Sequence, residues 1–203
     1  MASTGASPHT KEDVTRWQVV GMGLHTVLTP ALRPYVEAAI TQLYNNLCTT
    51  HQIHTQGHQK TYPTHGGRPL NYKNISGNDT KQKAQWDYSV QSPMDFARLF
   101  MQSHMCQHSA FSECDSSALL GLIINVDDSQ GNNQFTTIRQ DAERLKDFRN
   151  DWGHTEFGNF THVNFQTTFN TVRSVLTTIQ ADQKYHDSLQ ALEEQGTVTE
   201  VAG

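Results

Sequence analysis

The stretch Ile138–His154, IRQDAERLKDFRNDWGH, decides the fold, because its apolar residues recur at the spacing of a helix that faces a core. The apolar positions, separated by four, three, three and four residues, are Ile138, Ala142, Leu145, Phe148 and Trp152. Gly153 costs about 1 kcal/mol relative to alanine inside a helix, so we expect the helix to end or bend there. The pattern predicts a helix from about Thr136 to Trp152.

The end of this predicted helix carries Arg149, Asn150 and His154. Arginine clamps phosphate oxygens with two donors, and histidine takes or gives a proton near neutral pH. These residue types suit cleavage of a phosphodiester. At about 100° per residue, Arg149 projects roughly 20° from Ile138, inside the apolar stripe, where a guanidinium is costly unless it is paired or occupied. A structural alternative stays open, in which Arg149 pairs with a carboxylate and His154 caps the helix.

Four capping residues predict further helix starts. Thr29 is followed by Pro30, the residue favoured at the first helical position. Ser92 precedes an apolar stretch that we expect to be helical, and Asp115 or Ser116 is expected to start a second helix that is short and buried. Thr161 precedes the apolar stripe of the predicted last helix. The sequence therefore predicts an all-α bundle of four to five main helices, with a long polar loop inserted after the first long helix.

Glycines and polar ends set the predicted boundaries. Gly21 and Gly23 are expected to loosen the short apolar segment 14–26, and Gly196 is expected to stop the last helical pattern. We predict a flexible N-terminus over 1–13, a helical domain over 14–195 and a flexible C-terminal tail over 196–203. Asp127–Asn133 is expected to be a turn.

Residues 54–91 lack helical or strand periodicity and carry a charge of +3, in a chain whose net charge is −5. Basic groups interleaved with aromatic rings suit single-stranded nucleic acid, through phosphate contact and base stacking. The residues predicted to contact RNA are Arg68, Tyr72 and Lys73. The alternative is a solvated insertion whose aromatic side chains, Tyr72 and Trp86 among them, anchor it to the helices.

Several stretches of the chain resemble a known protein family. The motif Arg149-Asn150-x-x-x-His154 between two helical segments is similar to the R-x4-6-H motif of the HEPN superfamily. The stretches PLNYKNISGN, SPMDFARLFMQ, CDSSALLGLIINV and FRNDWGH resemble the animal HEPN subgroup named after the DAZ-interacting zinc-finger ubiquitin ligase. This resemblance covers roughly residues 14–190 and implies a HEPN-like helical bundle.

The resemblance also implies an activity. HEPN ribonucleases bring the motif residues of two subunits together at a dimer interface and cleave RNA without a metal. The function expected here is therefore a metal-independent endoribonuclease acting at a composite homodimer site, with Arg149, Asn150 and His154 as catalytic residues and attack by the 2′-hydroxyl. No cofactor is expected. Single-stranded RNA and a second copy are the expected partners, and a longer parent chain could add further domains or protein partners.

The competing hypothesis is a non-catalytic module for dimerisation or for binding RNA or a nucleotide. An acidic protein is a poor non-specific binder of nucleic acid, and many HEPN members lack activity. Asp147 and Asp151, one turn apart, could hold Arg149 in an ion pair of structural importance alone. The sequence leaves the ribonuclease and the module open.

Composition narrows the remaining classes. Apolar runs of 18 residues are absent from the sequence, so a membrane span is not expected. Three cysteines cannot form a closed disulfide framework, which fits a cytoplasmic setting. Cys106 points away from His104 and His108 on a helix, and their spacing with Cys114 matches no known zinc module, so no metal site is predicted.

Overall fold

The structure, a computed structural model, describes residues 10–58, 70–105, 107–126 and 134–197. Within these ranges the chain forms seven α-helices and no strand, which confirms the prediction of an all-α helical fold. The helices are α1 (Lys11–Met22), α2 (Thr29–His51), α3 (Pro93–Arg98), α4 (Ser116–Asn125), α5 (Thr136–Gly153), α6 (His162–Thr178) and α7 (Gln183–Thr197). A π-helical segment, Gly23–Leu28, joins α1 to α2. The predicted turn at Asp127–Asn133 lies outside the described residues.

Three of the predicted helix starts are confirmed by their capping hydrogen bonds. In each, a side-chain oxygen accepts a backbone N–H three residues later, which satisfies a donor that the first turn leaves over. The three donor–acceptor pairs are Asp95 N to Ser92 Oγ at 3.0 Å, Ala118 N to Asp115 Oδ1 at 2.8 Å and Asn164 N to Thr161 Oγ1 at 3.4 Å. Local sequence was therefore enough to place these starts.

Helix α2 begins at Thr29 as predicted, but Thr29 is not an N-cap, because the chain before it is already helical and stays helical from Lys11 to His51. The backbone N–H of Thr29 donates to the carbonyl of Leu24, five residues back, and its hydroxyl donates to the same oxygen at 2.7 Å. Pro30 has no N–H and so leaves no donor over. The π-helical turn thus carries the helix past a residue pair that elsewhere begins one.

Gly21 and Gly196 are buried contact points. Gly21 lies inside α1 without interrupting it, whereas Gly196 is the last residue but one of α7, close to the predicted stop. A side chain on Gly196 would overlap the ring of Phe165 in α6. At the other end, Thr10 and Asp13 form a reciprocal capping box, so α1 begins at Lys11, within the segment predicted as flexible. Residues 1–9 lie outside the described part.

The chain divides into two compact units, with Leu32–Glu143 forming unit 2 and the residues before and after it forming unit 1. In the described parts of unit 1, α1 packs against α6 and α7, and α6 packs against α7. The largest buried side chains of unit 1 are Leu24, Leu28, Phe160, Phe165 and Phe169. Unit 2 has a core of its own around α4, where Leu119, Leu120 and Ile123 are fully buried.

Within unit 2, the described parts of the predicted loop, residues 54–58 and 70–91, are held by buried amides. Asn78 is 0% exposed; its Nδ2 donates to the carbonyls of Tyr72 (2.9 Å) and Asp87 (2.7 Å), and its Oδ1 accepts the amide of Asp87 at 2.9 Å. Gln56 Nε2 donates to the hydroxyl of Tyr72 (3.0 Å) and to the carbonyl of Tyr88 (2.7 Å). These side-chain amides satisfy backbone hydrogen-bonding groups, as the hydrogen bonds between strands do in a β-sheet.

A helix that crosses a bilayer needs about 20 consecutive, mostly apolar residues. Among the described residues, no helix is both long and apolar enough to cross a membrane.

Candidate functional site at the end of helix α5

Helix α5 is anchored by the stripe predicted from the sequence. Ile138, Ala142 and Leu145 are at most 1% exposed, whereas Phe148 and Trp152 are half-buried. The burial of the helix therefore falls off toward its C-terminal end. That end is where the candidate catalytic residues lie.

The helix ends in a Schellman motif, a turn that satisfies the last carbonyls of a helix. Glu156 N donates to the carbonyl of Asp151 at 3.1 Å, and Thr155 N donates to the carbonyl of Trp152 at 3.2 Å. Thr155 takes the left-handed conformation that this motif requires, with φ 60°. A β-branched residue is strained at that φ. The backbone after His154 is thus held in one defined turn.

The three candidate catalytic residues lie in the last turns of α5 and just beyond. Arg149 and Asn150 are half-buried, and His154 is exposed. Arg149 Nη1 lies 3.6 Å from the position that a Cβ on Gly153 would occupy, so the guanidinium runs along the helix toward its end. The amide of His154 continues the helical pattern by donating to the carbonyl of Asn150 at 2.9 Å. The structure therefore places all three on one accessible helix end.

An aromatic cluster surrounds this helix end within unit 1. The rings of Trp17 and Trp152 stack with centroids 5.7 Å apart, and Phe157 meets Trp17 edge-on at 5.2 Å. His25 meets Trp152 edge-on at 5.0 Å and is exposed to solvent. Rings in these arrangements stabilise each other beyond the area they bury. The cluster fixes the ring of the tryptophan that lies between Arg149 and His154.

Local sequence pattern does not identify Trp17, Gly21 and His25 as neighbours of the motif. Trp17 lies 135 residues from Trp152 in sequence, so periodicity could not connect them. The π-helical segment that carries His25 shifts the helical phase, so a regular period would also misplace that side chain. The remaining signal is weak: a tryptophan four residues before a glycine in an apolar segment.

The residues predicted to contact RNA differ from the motif residues in burial and in position. Tyr72 is 1% exposed and its ring packs edge-on against Tyr88 at 5.2 Å. It offers no open ring face for a base, which corrects its assignment as a stacking residue. Lys73 is exposed, and Arg68 lies outside the described residues. Tyr72 and Lys73 also belong to unit 2, whereas Arg149 and His154 belong to unit 1.

Cys114 does not have the character of a nucleophile. Cys114 is buried, and burial raises the pKa of its thiol to about 11, so the thiolate form is suppressed near neutral pH. Its Sγ lies 3.8 Å from the carbonyl oxygen of Ala110. Among the described residues, which exclude Cys106, no group of three histidines, cysteines or acids is arranged to hold a metal ion.

A groove of about 430 Å³ is also found in unit 1, and the side chains that line it come from α6 and α7. It contains the ion pair between Arg173 and Glu193, together with His186, Asp187 and Glu194. None of the motif residues lines it. The groove is therefore separate from the candidate site.

Comparisons of the whole chain with protein-family models, with curated proteins and with solved structures find no match.

Proposed function

We propose that the chain is a metal-independent endoribonuclease of the HEPN type, acting on single-stranded RNA. The observation that carries this proposal is the grouping of Arg149, Asn150 and His154 on one accessible helix end. There the guanidinium extends toward Gly153 and the imidazole is exposed. A phosphate-binding cation and a proton-transfer group on one rigid turn are the minimal set for this reaction.

In the proposed reaction, the ribose 2′-oxygen attacks phosphorus while the His154 imidazole takes the proton of the 2′-hydroxyl. The bond from phosphorus to the 5′-oxygen breaks, and that oxygen receives a proton from the imidazolium of a second His154, supplied by another copy of the chain. Arg149 donates to the phosphoryl oxygens, on which negative charge grows in the transition state. The amide of Asn150 orients the same phosphate. The products carry a 2′,3′-cyclic phosphate and a 5′-hydroxyl, and DNA cannot react.

We place this activity in the cytoplasm. Cys48 and Cys114, the two cysteines within the described residues, are both free of disulfide bonds. Proteins of oxidising compartments tend to pair their cysteines. A reducing setting is the one in which these thiols persist.

The test uses purified protein and an unstructured, end-labelled RNA in the presence of EDTA. Wild-type protein is expected to cleave, and Arg149→Ala and His154→Ala are expected to lose at least 100-fold in rate, roughly the loss typical of a missing proton-transfer or oxyanion group. Arg144→Ala, an exposed arginine on the same helix, serves as the matched control. Equal cleavage by all four proteins would mark a contaminant. Cleavage that requires added metal would also contradict the proposal.

A second candidate is a non-catalytic module for dimerisation or for RNA binding, and the charge of the chain favours its dimerisation form. The motif is flanked by Asp147, Asp151 and Glu156, of which the first and last are exposed, and the chain carries a net charge of −5. Such a surface disfavours non-specific contact with a polyanion. Two measurements distinguish the candidate functions. Sedimentation of the protein shows whether it dimerises, and titration with a non-cleavable 2′-deoxy oligonucleotide shows whether it binds a single strand. A dimer that does not cleave RNA at any concentration supports the module.

A further inference from the structure

The side chain of Trp17 contacts both the ring and the main chain of Trp152. Besides the ring stacking, Trp17 Nε1 donates to the carbonyl oxygen of Trp152 at 2.9 Å. That carbonyl also accepts the amide of Thr155 in the turn that closes α5. A carbonyl oxygen has two lone pairs, so both donors are accommodated. A residue of α1 thus shares the acceptor that sets the backbone on either side of His154.

Gly21 makes room for the indole of Trp152. A side chain on Gly21 would overlap Nε1, Cε2 and Cζ2 of that ring. The Nε1 atom of Trp152 is itself buried without an acceptor among the described residues, so close ring packing rather than a polar contact sets its position. Two residues further, a Cβ on Gly23 would lie an ordinary 3.7 Å from Phe169. The two glycines therefore differ in what an added methyl would displace.

We infer that Trp17 is a positioning residue for the motif, with Gly21 as the space that admits Trp152. Trp17 holds the helix end from which Arg149 and His154 project. Its importance for RNA cleavage rests on the proposed function. Its effect on the order of the helix end does not rest on the proposed function, because that order can be measured without RNA.

The test replaces the donor but keeps a ring, in Trp17→Phe. The matched control is Trp86→Phe in unit 2, because Trp86 Nε1 donates to the carbonyl of Lys81 at 3.2 Å in the same kind of bond. Amide hydrogen exchange of His154, Thr155 and Glu156 is followed without ligand. Trp17→Phe is expected to exchange roughly fivefold to tenfold faster at these amides, the effect of losing one ordinary hydrogen bond. Trp86→Phe is expected to leave them unchanged.

A second pair of variants covers the case in which Trp17→Phe does not fold. Gly21→Ala displaces the indole of Trp152 and leaves Trp17 in place, so the same three amides are expected to exchange faster. Gly23→Ala is the control and is expected to leave them as in wild type. Equal exchange in Gly21→Ala and Gly23→Ala would overturn the inference. So would acceleration spread evenly over the chain, since it would show a loss of overall stability instead of local order.

The catalytic consequence has a separate readout. If the wild type cleaves RNA, Trp17→Phe is expected to lower kcat with little change in KM, because the motif is misaligned while the rest of the surface is intact. Faster exchange with an unchanged kcat would overturn the positioning role. A wild type that does not cleave would end the proposed function alone, and the exchange experiment would still decide whether Trp17 orders the helix end.

Discussion

The two units of the chain differ in the kind of contact that stabilises each of them internally. In unit 1, helices approach so closely that glycines at positions 21 and 196 face the rings of Trp152 and Phe165. In unit 2, irregular backbone is joined through side-chain amides and guanidinium groups that donate to carbonyls. Asn78 and Arg139 are examples, the latter donating to the carbonyls of Ile123 and Val126.

This difference indicates how each unit should fail. Close helix packing has no room for added volume, because protein interiors are packed as densely as organic crystals. Buried polar contacts tolerate some change in volume but not the loss of a partner, because an unsatisfied buried group keeps its full desolvation penalty. Methyl groups added at the close contacts, Gly21 and Gly196, should therefore destabilise unit 1, and deletion of buried amides should destabilise unit 2.

The largest effect is expected from Asn78→Ala in unit 2. The change leaves two carbonyls and one amide without their buried partner, so the free energy of unfolding should fall by about 3–4 kcal/mol. Asn71→Ala is the control: its side chain is half-buried and its hydrogen bonds, at 3.5 and 3.4 Å, are long. Urea denaturation of both variants gives the comparison. Equal losses would show that the buried amide is not special.

The next effect is expected from Gly196→Ala in unit 1. The methyl would overlap the ring of Phe165, and overpacking of this kind costs about 1–3 kcal/mol even though alanine favours a helix. Gly121→Ala in α4 adds the same methyl where nothing lies within 4 Å, and there it should stabilise by up to about 1 kcal/mol. Thermal and urea unfolding should move in opposite directions for the two. If both variants changed stability in the same direction, the proposed difference between the two units would be contradicted.

A smaller effect, and a gain, is expected from Thr155→Gly. Thr155 holds φ 60° at the end of α5, and glycine takes that conformation without strain, so stability should rise by about 0.5–1 kcal/mol. Gln180→Gly tests the same turn after α6, where φ is 54°, and should gain less because glutamine is not β-branched. Chemical denaturation of the pair measures both gains. A loss in Thr155→Gly would mean that the threonine side chain makes a contact more important than its strain.

The effect that is smallest at neutral pH comes from an ionisation and appears only in alkaline solution. Burial first, and the charge of Asp115 second, raise the pKa of the Cys114 thiol from 9.0 to about 11. The unfolded thiol ionises first, so stability is fully present below pH 9 and falls as pH rises toward 11. Cys114→Ala should flatten this decline, while Cys48→Ala should not. Urea midpoints collected from pH 8 upward provide the measurement, and parallel curves for both variants and wild type would contradict it.

The sequence predicted contacts between residues that are close along the chain better than contacts between residues that are far apart. The caps at Ser92, Asp115 and Thr161 involve residues three positions apart, so local pattern was sufficient. The grouping of Arg149 with His154 followed from a single helix. The contact of Gly196 with Phe165 joins residues far apart in sequence, so the local pattern, which indicates only a helix end, could not reveal it.

The errors have the same origin. Thr29 and Pro30 form a sound start signal, but the π-helical turn before them supplies an acceptor that periodicity does not reveal. Tyr72 has the composition of a nucleic-acid contact and is instead enclosed by Gln56 and Tyr88. In both cases a tertiary or non-α contact overrode a correct local preference.

The buried amides of unit 2 have a consequence for where the chain can be made. Asn74 and Asn78 each begin an Asn-x-Ser/Thr sequon, Asn-Ile-Ser and Asn-Asp-Thr. The Nδ2 atoms of both residues donate to two carbonyls each, those of Arg98 and Met101 for Asn74. An N-linked sugar would take one of those hydrogens and could not fit inside, so glycan attachment and this fold exclude each other at both positions.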